Sequence, residues 1–209
     1  MADAQSAGPG FRIRAFRPSD ETGWVRCRAL AFLDTAYFDD VHREKERYDR
    51  RAIELVAEAK GQVVGLIDIE CEEAPGDICS APADPADDGL AGMIWHLAVH
   101  PDYRRRGIGG ALLAEAVRQG RAWQIRRFEA WTRDDPFVID WYRAQGFLCV
   151  QHYWHLYLGS REELAAIQTQ VPGLRPVSVF AHYLGDDEAV IGRFARAHRC
   201  CRFDLYLAP

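Results

Sequence analysis

The feature that most constrains this chain is the stretch HLAVHPDYRRRGIGGALLAEAV, from His96 to Val117, where an apolar run, a basic glycine-rich turn and an amphipathic stretch follow without a gap. Met93, Ile94, Trp95, Leu97, Ala98 and Val99 make a strand, and Pro101 ends it because proline offers no N–H to a ladder. Ile108, Leu112, Leu113, Ala116 and Val117 then recur at helical spacing, with Glu115, Arg118 and Gln119 on the other side. Arg104, Arg105 and Arg106 lead into Gly107, Gly109 and Gly110 at the helix start. Glycines there keep side chains away from the free N–H groups of the first turn, and the helix dipole makes that end positive. The turn reads as a phosphate cradle flanked by arginines.

Two familiar phosphate loops do not fit. A Walker loop needs lysine and then Ser or Thr after its last glycine, where this chain has Ala111 and Leu112. A Rossmann fingerprint begun at Gly107 needs a small residue where Leu112 stands. Arg104, Gly107 and Gly109 instead satisfy Arg/Gln-x-x-Gly-x-Gly/Ala, which resembles the acyl-CoA pyrophosphate loop of the GNAT family of N-acetyltransferases.

The chain around this stretch alternates strand and helix patterns. Phe11 to Phe16 suits a first strand; Pro18 stops it, and Ser19, Asp20 and Glu21 supply an N-cap and an acidic first turn. Val25, Ala29, Phe32, Leu33 and Ala36 form the stripe of the following helix, and a more polar helical piece is expected from Tyr37 to Tyr48. Ile53 to Ala59 and Gln62 to Cys71 read as strands joined at Lys60-Gly61. Residues 72–91, acidic and rich in Pro and Gly, read as a long mobile loop. Symmetric pairing across that loop sets Asp68 opposite His96 and Glu70 opposite Ile94, unless a bulge shifts the register.

Past the cradle helix, Gly120 reads as a C-cap and Arg127 to Thr132 as a strand. Asp135 at the cap and Pro136 at the first helical position open a helix through Phe137, Trp141 and Ala144 or Gln145, and Gly146 closes it before a strand from Phe147 to Leu158. Helical stretches are expected at Arg161 to Gln170 and Glu188 to Ala197, with strands at Val177 to Tyr183 and Arg202 to Leu207. This alternation predicts an α/β fold, layered α+β. The 209 residues suit a disordered 1–10, a core over 11–158 and an extension over 159–209 that completes the sheet within the same domain.

In DWYRAQGF, Tyr142 is followed by three residues and then Gly146-Phe147, which resembles a second GNAT motif. The resemblance covers roughly residues 11–158 and implies a mixed, mostly antiparallel central sheet flanked by helices. It also implies acetyl-CoA as cosubstrate and transfer of the acetyl group to a primary amine of a small molecule or peptide, by direct attack in a ternary complex. By the same resemblance, the pantetheine pairs with the backbone of Leu97, Ala98 and Val99. The pyrophosphate sits on Arg104, Arg105, Arg106, Gly107, Ile108, Gly109 and Gly110, and Tyr142 touches the cofactor and protonates its departing thiolate. A free phenol titrates near ~10 and a thiol near ~8.5, so Tyr142 holds its proton at neutral pH. Asp135 stands where many members carry an asparagine that touches the cofactor; a carboxylate there is mildly unfavourable beside an anionic ligand.

The amine arrives mainly as ammonium, so a base or a water chain is required. His96, Glu70 and Asp68 are the three candidates, and the ordinary histidine pKa of ~6.5 suits the task. His152 and His155 lie among aromatics and read as packing or acceptor-pocket residues; no spacing makes a zinc site, so no metal is expected. Asp34, Asp39, Asp40, Asp68 and Glu70, with the aromatics, point to a small cationic or aromatic amine.

A net charge of −5 disfavours a nucleic-acid partner, since the arginine run is local. The opening MADAQSAGPG has no basic n-region or apolar h-region, and no run approaches a membrane span, so a cytoplasmic protein without a membrane partner is expected. The six cysteines are scattered without C-x-x-C spacing, so reduced thiols are expected. A homodimer is compatible with the sequence. The alternative to an enzyme is a non-catalytic acyl-CoA-binding or interaction module of the same fold.

Overall fold

The computed structural model describes residues 10–83 and 89–207; the expectations for residues 1–9 and for 84–88 lie outside the described residues. The strands are β1 (Arg12–Ala15), β2 (Ala52–Ala59), β3 (Gln62–Cys71), β4 (Ala91–Val99), β5 (Arg127–Thr132), β6 (Leu148–Leu158), β7 (Val179–Tyr183) and β8 (Arg196–Tyr206). They form one eight-stranded sheet in the order β1-β2-β3-β4-β5-β8-β6-β7. Its joins are antiparallel except β4–β5, which is parallel, so the sheet is mixed and mostly antiparallel as expected. Helices α1 (Glu21–Phe32), α2 (Ile108–Ala122) and α3 (Pro136–Ala144) flank it, with short α4 (Arg161–Leu164) and α5 (Glu188–Ile191) in the tail.

Local chemistry accounts for most of these elements. Lys60 and Gly61 both have positive φ, 51° and 74°, which suits a two-residue turn that lets Ala59 pair with Gln62. The parallel β4–β5 pair requires a crossover, and α2 supplies it. Ile108, Leu112, Leu113 and Ala116 share a core with Ile67, Ile69 and Phe128 on one face, while Trp24, Cys27 and Ala31 of α1 pack with Val56, Leu66 and Ala98 on the other. Gly65 brings the first turn of α2 onto β3, because a Cβ there would lie 2.7 Å from Ile108 Cγ2.

Several expectations are corrected. The buried stripe of α1 is Trp24, Cys27, Arg28 and Ala31, not Val25, Ala29 and Phe32, because the Trp24 indole fills the space over Leu66 and Ala98. No helix spans Tyr37 to Tyr48; residues 33–51 run as turns and irregular chain. Their polar side chains are committed elsewhere, Asp40 to Arg28 and Lys45 to Asp68, which competes with local helical bonding. Gly120 lies inside α2, where a Cβ would come within 2.7 Å of Phe128 Cζ, and the helix ends at Ala122 instead.

The segment after β3 is tied down where it is described. Glu72 accepts hydrogen bonds from the N–H groups of Gly76, Ile78, Cys79 and Ala91, and Ser80 bonds to Glu129 through its N–H and its hydroxyl. In the tail, the helices shrink to α4 and α5, and the last strand starts at Arg196 rather than Arg202 because β8 inserts between β5 and β6. Glu129 and Asp204 face each other across β5–β8 without solvent exposure, and Arg127 and Arg202 neutralise them.

Candidate functional site

The site starts where two parallel strands part. β4 pairs with β5 from Ala91↔Arg127 to Ile94↔Ala130 and no further. Trp95 bulges out of the β3–β4 register, after which His96 to Val99 pair with β3 alone (Asp68↔His96, Ile67↔Leu97, Leu66↔Ala98, Gly65↔Val99). Trp131 and Thr132 meanwhile pair with Arg202 and Cys201 of β8. Among the described residues the edge of β4 over Leu97, Ala98 and Val99 therefore has no strand on its β5 side, which is the geometry that accepts an extended, amide-bearing chain. The bulge also corrects one register: Asp68 does face His96, but Glu70 faces Met93 rather than Ile94.

That free edge leads into the cradle. Gly107 caps α2 in the left-handed conformation, φ 80°, after Arg105 at φ 63°. The Ala111 N–H is bonded to the Gly107 carbonyl at 3.0 Å, which leaves the amides of Ile108, Gly109 and Gly110 ahead of the helical ladder. Arg105 and Arg106 are exposed. Arg104 is held by Asp34 at 2.9 Å and by the Ala31 carbonyl at 2.8 Å, which ties the cradle to the end of α1.

Tyr142 stands over the fork. Its ring stacks on Phe203 with centroids 5.2 Å apart and meets Phe147 edge-on at 4.9 Å. Phe203 pairs with Ala130, the last residue of β5 in register with β4. Burial pushes the Tyr142 phenol up from its ordinary value, and among the described residues its hydroxyl has no hydrogen-bond partner. Asp135 occupies the N-cap position of α3, yet its carboxylate does not cap; both oxygens accept the Ala36 N–H at 3.0 Å, tying the 33–51 segment to α3.

The candidate bases are separated by their surroundings. Asp68 has no solvent exposure; its Oδ2 lies 3.0 Å from Lys45 Nζ and accepts the Tyr48 hydroxyl at 3.2 Å, while among the described residues Oδ1 has no partner. Burial raises its pKa to about 6 against the opposing pull of Lys45. Glu70 accepts the indole N–H of the bulged Trp95 at 3.0 Å. His96 has both ring nitrogens occupied: Arg28 Nε donates to Nδ1 at 3.1 Å, so Nε2 carries the proton and donates to Glu46 at 2.9 Å. Burial lowers the His96 pKa despite Glu46, and the bond from His96 lowers that of Glu46.

Arg28 and Glu46 were invisible to sequence reading. Arg28 sits in the buried stripe of α1, a position a pattern of apolar residues passes over, and Glu46 lies in the segment expected to be helical. His42 closes the group, 3.5 Å from Glu46 and 3.2 Å from Asp40, which Arg28 holds at 2.8 Å. Donor atoms of His42, Glu46 and His96 lie within 4.8 Å of one another. The set fits a metal poorly, because the Arg28 N–H on Nδ1 keeps the ring proton on the nitrogen that would have to ligate.

Residues 20–147 match the model of the acetyltransferase (GNAT) family. Over 155 residues the chain is 30% identical to a mycothiol acetyltransferase of Sanguibacter keddieii, a match covering 70% of this chain and 46% of that protein. It is 34% identical over 108 residues to an acetyltransferase of Sodalis glossinidius, covering 50% of this chain and 63% of that one. The chain spans under half the length of the mycothiol acetyltransferases it matches, 46% and 41%. Among solved structures, a GNAT acetyltransferase from Streptococcus pneumoniae shares the fold at TM-score 0.58 and 14% identity, over 95% of this chain and 99% of that one. Arabidopsis thaliana NAA60 in complex with acetyl-CoA does so at TM-score 0.54 and 16% identity, over 94% and 99%. The family match runs from the start of α1 through the parted strands and the cradle to Phe147, and the chain belongs to the acetyltransferase (GNAT) family.

Proposed function

We propose that this chain is an acetyl-CoA-dependent N-acetyltransferase acting on a primary amine of a small molecule or peptide within a ternary complex. The observation that carries the reading is the unpaired edge of β4 at Leu97 to Val99 leading directly into the glycine-opened N-terminus of α2. Backbone amides on the edge suit a pantetheine arm, and the amides of Ile108 to Gly110 with Arg104 to Arg106 suit a pyrophosphate. Bound acetyl-CoA supplies the thioester carbon at which the C–N bond forms as the C–S bond breaks.

The chain's own residues then handle protons and position. Of the two protons the ammonium gives up, one ends on sulfur as the CoA thiol and the other leaves to solvent. Tyr142, kept protonated by burial, donates a hydrogen bond to the departing sulfur and gives it the phenol proton, which the first ammonium proton then replaces. Glu46, with its side chain 42% exposed and the His96 N–H fixed against it, draws the ammonium in and passes the second to water. Asp68 is committed to Lys45, and Glu70 to Trp95, so neither is assigned a proton in this scheme.

The test is incubation with acetyl-CoA and a panel of small amines and short peptides, following free thiol. Thiol release that depends on the amine is expected. Binding of acetyl-CoA by calorimetry with no release for any amine supports a non-catalytic acyl-CoA-binding module instead.

A further inference from the structure

A cavity of about 460 Å³, wide open to solvent, lies beside the end of β5, walled by the 33–51 segment and by β6 and β7. That size is in the range of small-molecule sites. Its floor is Arg133, 6% exposed and directly after the last residue of β5. Arg133 Nε donates to His155 Nδ1 at 3.0 Å and its Nη1 to the Ala36 carbonyl, with the Tyr37 and Tyr157 rings flanking the guanidinium at 3.9 and 5.3 Å.

Among the described residues no carboxylate matches the charge of Arg133 at hydrogen-bond distance. Asp39, the nearest carboxylate, is 4.0 Å away and is bound by Arg196. The remaining edge of the guanidinium, Nη2, meets no carboxylate among the described residues and has only the Tyr157 phenol, hydrogen-bonded to the guanidinium, beside it. His155 stays neutral, since burial and then Arg133 push its pKa down to about 4. A buried guanidinium with an open edge is suited to a carboxylate.

Asp40 lines the same cavity with its carboxylate 41% exposed. Arg28 holds one oxygen of Asp40, and the His42 ring, 3.2 Å from the other, also lies 3.5 Å from Glu46, so His42 links this wall of the cavity to the Glu46–His96 pair. Tyr157 and Phe180, with ring centroids 5.0 Å apart, add an aromatic wall.

We propose that this cavity is the acceptor site and that it takes an aromatic amine bearing a carboxylate, of the α-amino acid class. The carboxylate rests on Arg133, the ammonium on Asp40 and the ring against Tyr157 and Phe180. The assignment rests on the N-acetyltransferase reading above.

The test uses the full chain with CoA present and titrates L-phenylalanine, L-tyrosine and L-tryptophan against phenethylamine, tyramine and tryptamine by calorimetry. A charge-assisted pair predicts that at least one amino acid binds ~10-fold to ~100-fold tighter than its decarboxylated partner. Arg133→Gln should erase that preference. Equal or tighter binding of the bare amines, or no binding of any amino acid, overturns the proposal; both readouts come from the wild-type chain, so they stand even if the variant fails to fold. Thiol release with acetyl-CoA in the same mixtures separates the two readings. Turnover indifferent to the carboxylate overturns the acceptor class and leaves the acetyltransferase standing. Carboxylate-dependent binding with no thiol release in any mixture overturns the acetyltransferase, and with it the role of the bound amino acid as acceptor.

Discussion

Arg28 donates its Nε–H to Nδ1 of His96 at 3.1 Å, and both side chains are buried, at 2% and 5% exposure. The bond makes the β4 histidine a donor toward Glu46 rather than a free acceptor. In the proposed reaction the basic role then falls to Glu46, in a segment that has no regular structure.

Glu46→Gln is therefore expected to lower turnover by ~10²-fold or more, the lower end of a general acid–base contribution, with little change in acetyl-CoA affinity. Glu70→Gln should have a much smaller effect. Steady-state kinetics of the two variants decide this, and a larger loss in Glu70→Gln would return the base to β3.

Tyr142→Phe is expected to lower kcat by ~10²–10⁴-fold. Because the hydroxyl makes no hydrogen bond among the described residues, the stacking on Phe203 is retained and stability should change little. Kinetics with urea unfolding check both halves, and unchanged turnover would remove Tyr142 from the reaction.

Gly107→Ala should destabilise by about 1 kcal/mol, the penalty of a left-handed residue with a Cβ, and should weaken acetyl-CoA binding by displacing the first amides of α2. Thermal unfolding and calorimetry measure the two effects. Unchanged affinity would separate the cradle from the cofactor.

Acid should destabilise the protein through its buried histidines. The folded pKa of His155, about 4, lies below the ordinary 6.5, so its contribution is present above pH 6.5 and is lost as pH falls toward 4. His96 is shifted in the same direction. Urea unfolding of wild type and His155→Gln at neutral pH and at about pH 5 should show a shallower loss in the variant. Parallel losses would contradict the shift.

What was legible in the sequence was local. The Lys60-Gly61 turn, the Asp135-Pro136 helix start and the strand–glycine–helix unit at the cradle each depend on residues a few positions apart, and each formed where expected. The Asp68↔His96 pairing was readable too, but the Trp95 bulge moved Glu70 by one residue. The roles of Arg28, Glu46 and Arg133 arise from contacts across 68, 50 and 22 positions, respectively, and no periodicity encodes them. Turns over 33–51 replaced a helix for the same reason, since their side chains are held by β3, α1 and β8 rather than by their neighbours.

Amide hydrogen exchange with and without acetyl-CoA tests most directly whether the free edge of β4 and the opening of α2 together hold that ligand. Slowed exchange at Leu97 to Val99 and at Ile108 to Gly110 on adding acetyl-CoA is the predicted result. Saturating acetyl-CoA that leaves both segments unprotected would contradict it.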